Sequence, residues 1–378
     1  MKLHTFSTSA TDARFEGLEL DSPDTLVLVF GPSDLADSPA VLRALHDAFS
    51  ASQLLGCSTA GEIFDSKVSD GTLSVAVVRF EHTRVRSAAF PVTLPTDSRE
   101  AGRSLARELL GSDLRSILVL SDGLGVNGSE LARGINDAAP PPVVVTGGLA
   151  ADGDRFRRTW VLTHGEPRSG FVSAVGLYGD HVHVGHGSKG GWDIFGPERV
   201  VTRAQGNVLF ELDGRPALDL YKEYLGERAS GLPATALLFP LALRAGRSDV
   251  HQVVRTVLAV DEAKRSMTFA GDIPEGSLAQ LMKANFDRLV EGASVAAMAT
   301  TDAGAPPNVP GLLLSISCVG RRLVLGERTE EEIEATLEAM PSGTKQIGFY
   351  SYGELSPHAS GSCDLHNQTM TLTTIREW

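Results

Sequence analysis

The sequence predicts an α/β fold of mixed α+β type, in which duplicated strand-helix-strand-hairpin units form mixed sheets covered by helices. Three observations predict it. An apolar strand that runs into a Gly-rich turn, a helix and a second strand ending in a small-residue loop occurs three times. Helical and strand periodicities alternate along the chain, and each such unit leaves one apolar face that must pack against another layer. The segments after the first two copies alternate between turn residues like antiparallel hairpins, so the sheets are mixed rather than purely parallel.

The first copy opens with the strand Thr25–Gly31, continues through a helix near 39–50 and ends in Leu54–Glu62. Gly71–Phe80 and Thr83–Phe90 follow as strands, with Glu81-His82 at the turn between them. The second copy has the strand Ile117–Gly123, a helix near 129–138 and Val143–Gly153. Gly170–Tyr178 and Asp180–His186 then take the place of the earlier hairpin, turning at Gly179-Asp180. Residues 1–190 therefore read as a tandem duplication. A turn-rich link, Gly190–Pro197, leads into a different segment. It carries strands at Arg199–Ala204, Ala236–Ala242, Gln252–Val260 and Ser266–Ala270, and helices at Ala217–Leu225 and Ser277–Glu291. Ala303–Pro310 reads as an exposed Pro-rich loop. The third copy follows: the strand Leu312–Cys318, a helix near 330–340 opened by a capping box at Thr329–Glu332 and stopped by Pro341, and Gly348–Leu355. Asn367–Ile375 closes the chain as an alternating strand.

Bulk properties narrow the function classes. At 378 residues the chain exceeds the roughly 100–200 residues of one domain. A net charge of -13 argues against nucleic-acid binding, which needs clustered Lys and Arg. No apolar stretch approaches the roughly 20 residues of a membrane helix, and the polar start shows no secretory signal. Cys57, Cys318 and Cys363 are widely separated, which suits a reducing cytoplasm and not a disulfide framework.

Several segments together resemble the FIST family of bacterial sensory modules. Gly56–Ile63 (Gly-Cys-Ser-Thr-Ala-Gly-Glu-Ile) resembles the hallmark of its N-terminal domain, and Thr146–Asp152 its second Gly-rich element. Gly191-Trp192, Phe195–Pro197, Leu212–Ala217 and Tyr221–Gly226 resemble the junction between its domains. Gly326–Arg328 and Phe349–Glu354 resemble its C-terminal domain. The resemblance implies an N-terminal domain over 1–212 and a C-terminal domain over 213–378. It further implies a cytoplasmic protein that binds a small molecule in signal transduction. With no kinase, GGDEF or receptor segment in the sequence, its output is expected to pass through a separate partner such as a histidine kinase. One branch of the family is described as haem-binding nitric-oxide sensors, and there His183 is the first candidate ligand.

Each motif has a functional and a bland reading. Gly123–Gly128 fits G-x-G-x-x-G between a strand and a helix, but the next strand lacks the acidic residue of a dinucleotide site. A tight turn able at most to hold an anion is the alternative. Cys57 sits in a small-residue loop with no His near in sequence, as a nucleophile or a buried apolar residue. His181 and His183 share one face of a strand, as metal or haem ligands or as the polar side of a hairpin. Tyr350, Tyr352 and Glu354 share another, where aromatic walls and a carboxylate suit a ligand carrying an amine; core packing is the alternative. Arg328 is a surface pair or the far side of that pocket. The expected ligand-binding set is Cys57, Ser58, Thr59, Glu62, Asp152, Arg328, Tyr350, Tyr352 and Glu354. Competing readings are an enzyme using Cys57 or Cys318 in an interdomain pocket, and a ligand-free interaction scaffold.

Overall fold

In the computed structural model, which describes residues 1–139, 141–249, 252–302, 309–357 and 361–378, the three copies are three versions of one unit. The first contributes β1 (Lys2–Ser9), β2 (Thr25–Gly31), α1 (Ala40–Ala48), β3 (Gln53–Ser58), a short hairpin of β4 (Glu62–Phe64) and β5 (Lys67–Ser69), and β6 (Thr72–Arg79). The second contributes β7 (Arg84–Pro91), α2 (Ser98–Leu109), β8 (Leu114–Ser121), α3 (Gly128–Ala138), β9 (Val144–Leu149), the hairpin β10 (Val161–Thr163) and β11 (Glu166–Arg168), and β12 (Phe171–Tyr178). The third begins with β13 (Val182–Lys189) and is then interrupted by an inserted subdomain. That subdomain holds β14 (Asp193–Ile194), β15 (Arg199–Gln205), β16 (Val208–Leu212), β17 (Arg215–Pro216), α4 (Ala217–Leu225), β18 (Leu241–Arg244), β19 (Val253–Arg255), β20 (Val257–Asp261), β21 (Ser266–Phe269) and β22 (Leu278–Lys283). The third unit resumes with α5 (Phe286–Ala299), β23 (Leu312–Cys318), α6 (Val319–Leu325), α7 (Thr329–Glu338), β24 (Lys345–Ser351), the hairpin β25 (Gly353–Pro357) and β26 (Cys363–His366), and β27 (Met370–Glu377).

Each unit builds most of one sheet and lends its short hairpin to another. The sheet orders are β1-β6-β2-β3-β10-β11, β7-β12-β8-β9-β25-β26 and β13-β27-β23-β24-β4-β5. The central pairs β2/β3, β8/β9 and β23/β24 are parallel, and the strands around them are antiparallel, so the sheets are mixed. The exchange of hairpins runs in a ring, from unit one to unit three, three to two and two to one. The three inner faces meet in one core containing Leu28 and Phe30 of β2, Leu118 and Leu120 of β8, and Leu314 and Ile316 of β23. The opposite face of β2, Val27 and Val29, packs on Leu42 and Leu45 of α1. With both faces covered, the central strands read as unbroken apolar runs. The inserted subdomain has its own core around Leu209, Tyr221, Phe239 and Phe269, and Trp192 joins it to α5 and α6.

Some elements differ from the sequence reading. The strands on either side of Glu81-His82 do not pair with each other: β6 ends in the first sheet and β7 begins the second. The same holds for β12 and β13. Alternation registers a strand but not its partner. Here the Glu377 carboxylate accepts hydrogen bonds from the amides of Glu81 and His82 and from the Thr83 hydroxyl, holding the corner between sheets. Ser277–Glu291 divides into β22 and the start of α5, because Asn285 caps the helix by accepting from Arg288 N. Within Ala236–Ala242 a short helical turn precedes β18. Thr329 does not form the expected capping box: its hydroxyl donates to Gly326 O while Glu332 turns into the core. Most of the Pro-rich loop Ala303–Pro310 lies outside the described residues.

Candidate functional site

The loops that close the three parallel crossovers lie around one axis, and their equivalence can be read residue by residue. Gly56, Gly147 and Gly348 each face a carbonyl of the neighbouring parallel strand. An added Cβ would fall 2.3 Å from Val29 O, 1.8 Å from Val119 O and 1.8 Å from Ser315 O respectively. Only glycine permits that approach. Four residues further on, the loops join head to tail: Ala60 N donates to Tyr350 O (2.8 Å), Tyr352 N to Leu149 O (3.2 Å) and Ala151 N to Ser58 O (2.9 Å).

Units one and three then close alike. The Thr59 hydroxyl donates to Glu62 Oε1 (2.5 Å), and Thr72 donates to Oε2 from its amide (3.1 Å) and its hydroxyl (3.2 Å). The Ser351 hydroxyl donates to Glu354 Oε1 (2.6 Å), and Thr369 to Oε2 from its amide (3.3 Å) and hydroxyl (2.9 Å). Burial pushes Glu62 up to about 7 and Glu354 up to about 8 against these hydrogen bonds.

Unit two breaks the pattern. Glu62 pairs with Phe349 and Glu354 with Gly148, but Val161 holds the matching position against Cys57. Between Ala151 and Val161 the chain makes an extra loop, which Asp152 organises. Its Oδ1 accepts from Phe156 N (2.9 Å), and its Oδ2 from Arg157 N and Arg158 N (2.9 Å each). Tyr352 from unit three donates its hydroxyl to Asp152 Oδ1 and to Gly153 O. Burial works to raise the Asp152 pKa, but the Tyr352 hydroxyl and the three amides outweigh it and hold it below the usual range. Phe156, at φ 51°, stacks its ring on Tyr352 with centroids 4.5 Å apart and planes 10° from parallel.

This extra loop faces the inserted subdomain across a cavity of about 360 Å³. Phe156 and Tyr352 form one wall, Leu232–Leu237 and Val257-Leu258 another, and Cys318, Val319 and Leu323 the floor. A second, more polar cleft of about 580 Å³ adjoins it and shares Asp154, Val319 and Leu323. Its walls include Ala60, Asp70, Gly153 and Arg322, so residues of all three closing loops border the combined space. The cavity falls within the range of small-molecule sites, roughly 300–1,000 Å³.

The expected site residues divide accordingly. Tyr352 lines the cavity, and Asp152 holds the loop that forms its wall. Cys57 is fully buried in the central core, where burial pushes its thiol up. Ser58 Oγ accepts from Trp160 N, and Thr59, Glu62 and Glu354 form the two closures. The buried Tyr350 hydroxyl donates to Glu332 Oε1 (2.7 Å), within a buried cluster that includes Ser317 and the Arg321 guanidinium. Arg328 lies on the surface against Glu331 and Asp287. His183 stacks on Trp378 with centroids 3.6 Å apart, while His181 Nδ1 lies 2.7 Å from Trp378 O. Neither His181 nor His183 lines the cavity or the adjoining cleft. Among the described residues no group of three or more His, Cys, Asp or Glu could hold a metal ion. In the Gly123–Gly128 turn, Asp122 Oδ1 already accepts from Leu124 N and Gly125 N, the amides a phosphate would need. Sequence reasoning missed Phe156, Thr256, Leu258 and Leu323. The available signal was the extra length between Asp152 and Val161, absent from the other two copies.

The FIST N domain profile matches residues 25–215, and the FIST C domain profile matches residues 217–357. The chain belongs to the FIST family. FIST domains are associated with the sensing of small ligands in signal transduction. The boundary between the two matches falls inside the inserted subdomain, at the start of α4. An uncharacterized protein of Methanocaldococcus jannaschii is 27% identical over 240 residues, which is 56% of this chain and 45% of that protein. The chain thus spans less than half of that relative. No helix among the described residues is long and apolar enough to cross a membrane.

Proposed function

We propose that this FIST protein senses a small molecule bound in the cavity between the Asp152–Trp160 loop and the inserted subdomain. It passes the signal to a separate partner, such as a histidine kinase, in the cytoplasm. One observation carries the reading. The only one of the three closing loops that departs from the shared pattern is the loop that, with the inserted subdomain, encloses an apolar cavity floored by α6. Loops placed on a rigid scaffold are where binding residues concentrate.

The same helix offers a route for the signal. Val319 and Leu323 of α6 face the cavity. Arg321, on the same turn, binds Glu332 Oε2 (2.6 Å) and donates to Leu289 O of α5 (2.9 Å) and Gly190 O of the link. Arg322 donates to Asp70 (2.7 and 2.8 Å) and Ala60 O (2.5 Å) in unit one. A ligand that prefers one position of α6 shifts the population of both contacts, by no more than its difference in affinity.

A nucleophilic Cys318 in the cavity has less support, because burial pushes its thiol far above the range where a thiolate forms. The test is to extract the small molecules that co-purify with the protein and titrate them into wild type and Ala270→Phe; Ala270 belongs to the cavity lining, and the new ring would fill the space. Binding to wild type that Ala270→Phe abolishes is expected. Equal binding to both proteins overturns the assignment.

A further inference from the structure

We infer that the ligand is a hydrophobic monocation, an aryl- or alkylammonium without a carboxylate; this rests on the cavity being the binding site. Among the described residues the lining of the cavity contains no lysine, arginine or histidine. An anion, or the carboxylate of a free amino acid, would lose its hydration there without gaining a partner. Apolar surface dominates instead. Phe156 (48% exposed), Leu258 (43%) and Leu323 (47%) all converge on the rim, where a small apolar body would cover them. At about 30 Å³ per water-sized atom, 360 Å³ holds about a dozen non-hydrogen atoms.

Two polar groups define where the charge goes. The Asp154 carboxylate stands on the rim shared by the cavity and the neighbouring cleft, with no hydrogen bond or ion pair among the described residues. The adjoining cleft adds Asp70, Glu327 and Glu330 against two cations: Arg322, whose guanidinium serves Asp70 and Ala60 O, and Lys67, which pairs with Glu330 (3.1 Å). The local potential is therefore negative. The Thr256 hydroxyl, 5% exposed, lines the cavity with no partner among the described residues, an acceptor for an ammonium or ring N–H. The Tyr352–Phe156 pair beside Asp154 adds the attraction of aromatic rings for a cation.

Calorimetric titration with a matched set of indoles tests this: tryptamine (cation), tryptophan (zwitterion), indole-3-propionate (anion) and 3-methylindole (neutral). Tryptamine is expected to bind at least about tenfold more tightly than tryptophan or indole-3-propionate. Asp154→Asn, which removes a charge and breaks no contact, is expected to erase that preference and leave 3-methylindole binding unchanged. Indole-3-propionate or tryptophan binding as tightly as tryptamine, or a preference that survives Asp154→Asn, overturns the inference. If those probes bind wild type but not Ala270→Phe, the cavity assignment stands while the cationic class falls. If they bind Ala270→Phe equally well, the cavity assignment falls too. Absence of binding by every probe also overturns the cationic class.

Discussion

Glu354 should hold its proton in the folded protein at neutral pH, and replacing it by glutamine should expose that proton as a pH-dependent stability. The side chain is fully buried, and burial favours the acid over the carboxylate. The Ser351 hydroxyl, which donates to Oε1 (2.6 Å), favours the carboxylate instead. Oε2 keeps its hydrogen bonds from Thr369. These hydrogen bonds and the Arg321 charge favour the carboxylate, but burial outweighs them and pushes the pKa from 4.5 up to about 8. An unfolded chain ionises this glutamate near 4.5, so folding takes up a proton between about 4.5 and about 8. The contribution to stability is complete below that window and is lost as the pH rises through it, by about 1.4 kcal/mol per pH unit. From pH 5.5 to 7.5 the loss is on the order of 3 kcal/mol. For 378 residues, with about 2.1 cal/mol/K of unfolding entropy each, this is a Tm change of about 4 °C. Glu354→Gln has no proton to lose. Scanning calorimetry of both proteins across this range should show the difference between their Tm values shift by about 4 °C in favour of the variant. A difference constant to within about 1 °C would refute the argument, because it would mean that folded Glu354 is already ionised at pH 5.5.

Four further outcomes follow from contacts described above. Arg321→Met strands the buried Glu332 carboxylate and should cost about 3–5 kcal/mol in denaturant unfolding, part of which Arg321→Met with Glu332→Leu should recover. Gly147→Ala places a Cβ 1.8 Å from Val119 O at φ 152°, so thermal melts should show a loss of at least about 1–3 kcal/mol. Gly153→Ala, with open space around it at φ 77°, should cost only about 1 kcal/mol. Asp152→Asn weakens the acceptor for three loop amides and the Tyr352 hydroxyl, so limited trypsin digestion should cut faster at Arg155, Arg157 or Arg158.

Much of the scaffold was legible because it obeys local rules. The apolar runs at Thr25–Gly31, Ile117–Gly123 and Leu312–Cys318 became central strands, and the helices near 39–50 and 129–138 became α1 and α3. Strand partners were not legible. Alternation in Thr72–Arg79 and Arg84–Pro91 is equally compatible with one hairpin or with two sheets. The deciding contacts come from Glu377, almost three hundred residues away in sequence. The three-residue strands Glu62–Phe64 and Val161–Thr163 are too short to show a period, yet their exchange ties the three units together. At the candidate site, Tyr352 and Asp152 were identifiable because they lie in the repeated loops. Phe156 sits in an extension with no counterpart, and the walls at Leu232–Leu237 and Val257-Leu258 come from a subdomain outside the repeat.

Repetition separates scaffold from site in this chain, and it reverses a natural expectation. A motif seen twice, Thr59 to Glu62 and Ser351 to Glu354, invites a functional reading. In the fold, however, both glutamates direct both oxygens to hydroxyls and an amide of their own unit. A closure of that kind leaves no acceptor for a ligand. The second unit keeps the close-packed glycine and the head-to-tail hydrogen bond but has Ala150 and Val161 where the closure would be. Its chain is therefore free to leave the axis, and Asp152 re-anchors it through three backbone amides and the Tyr352 hydroxyl. That departure brings Phe156 onto Tyr352 and Asp154 to the rim of the cavity. Removing the loop tip Asp154–Arg158, while keeping the buried Thr159 and Trp160 with their contacts to Gly123, Ser58 and the α1 core, should therefore preserve the three-sheet core and remove one wall of the cavity. Retained thermal stability with lost ligand binding is the expected result, and loss of both would place the extra loop in the scaffold.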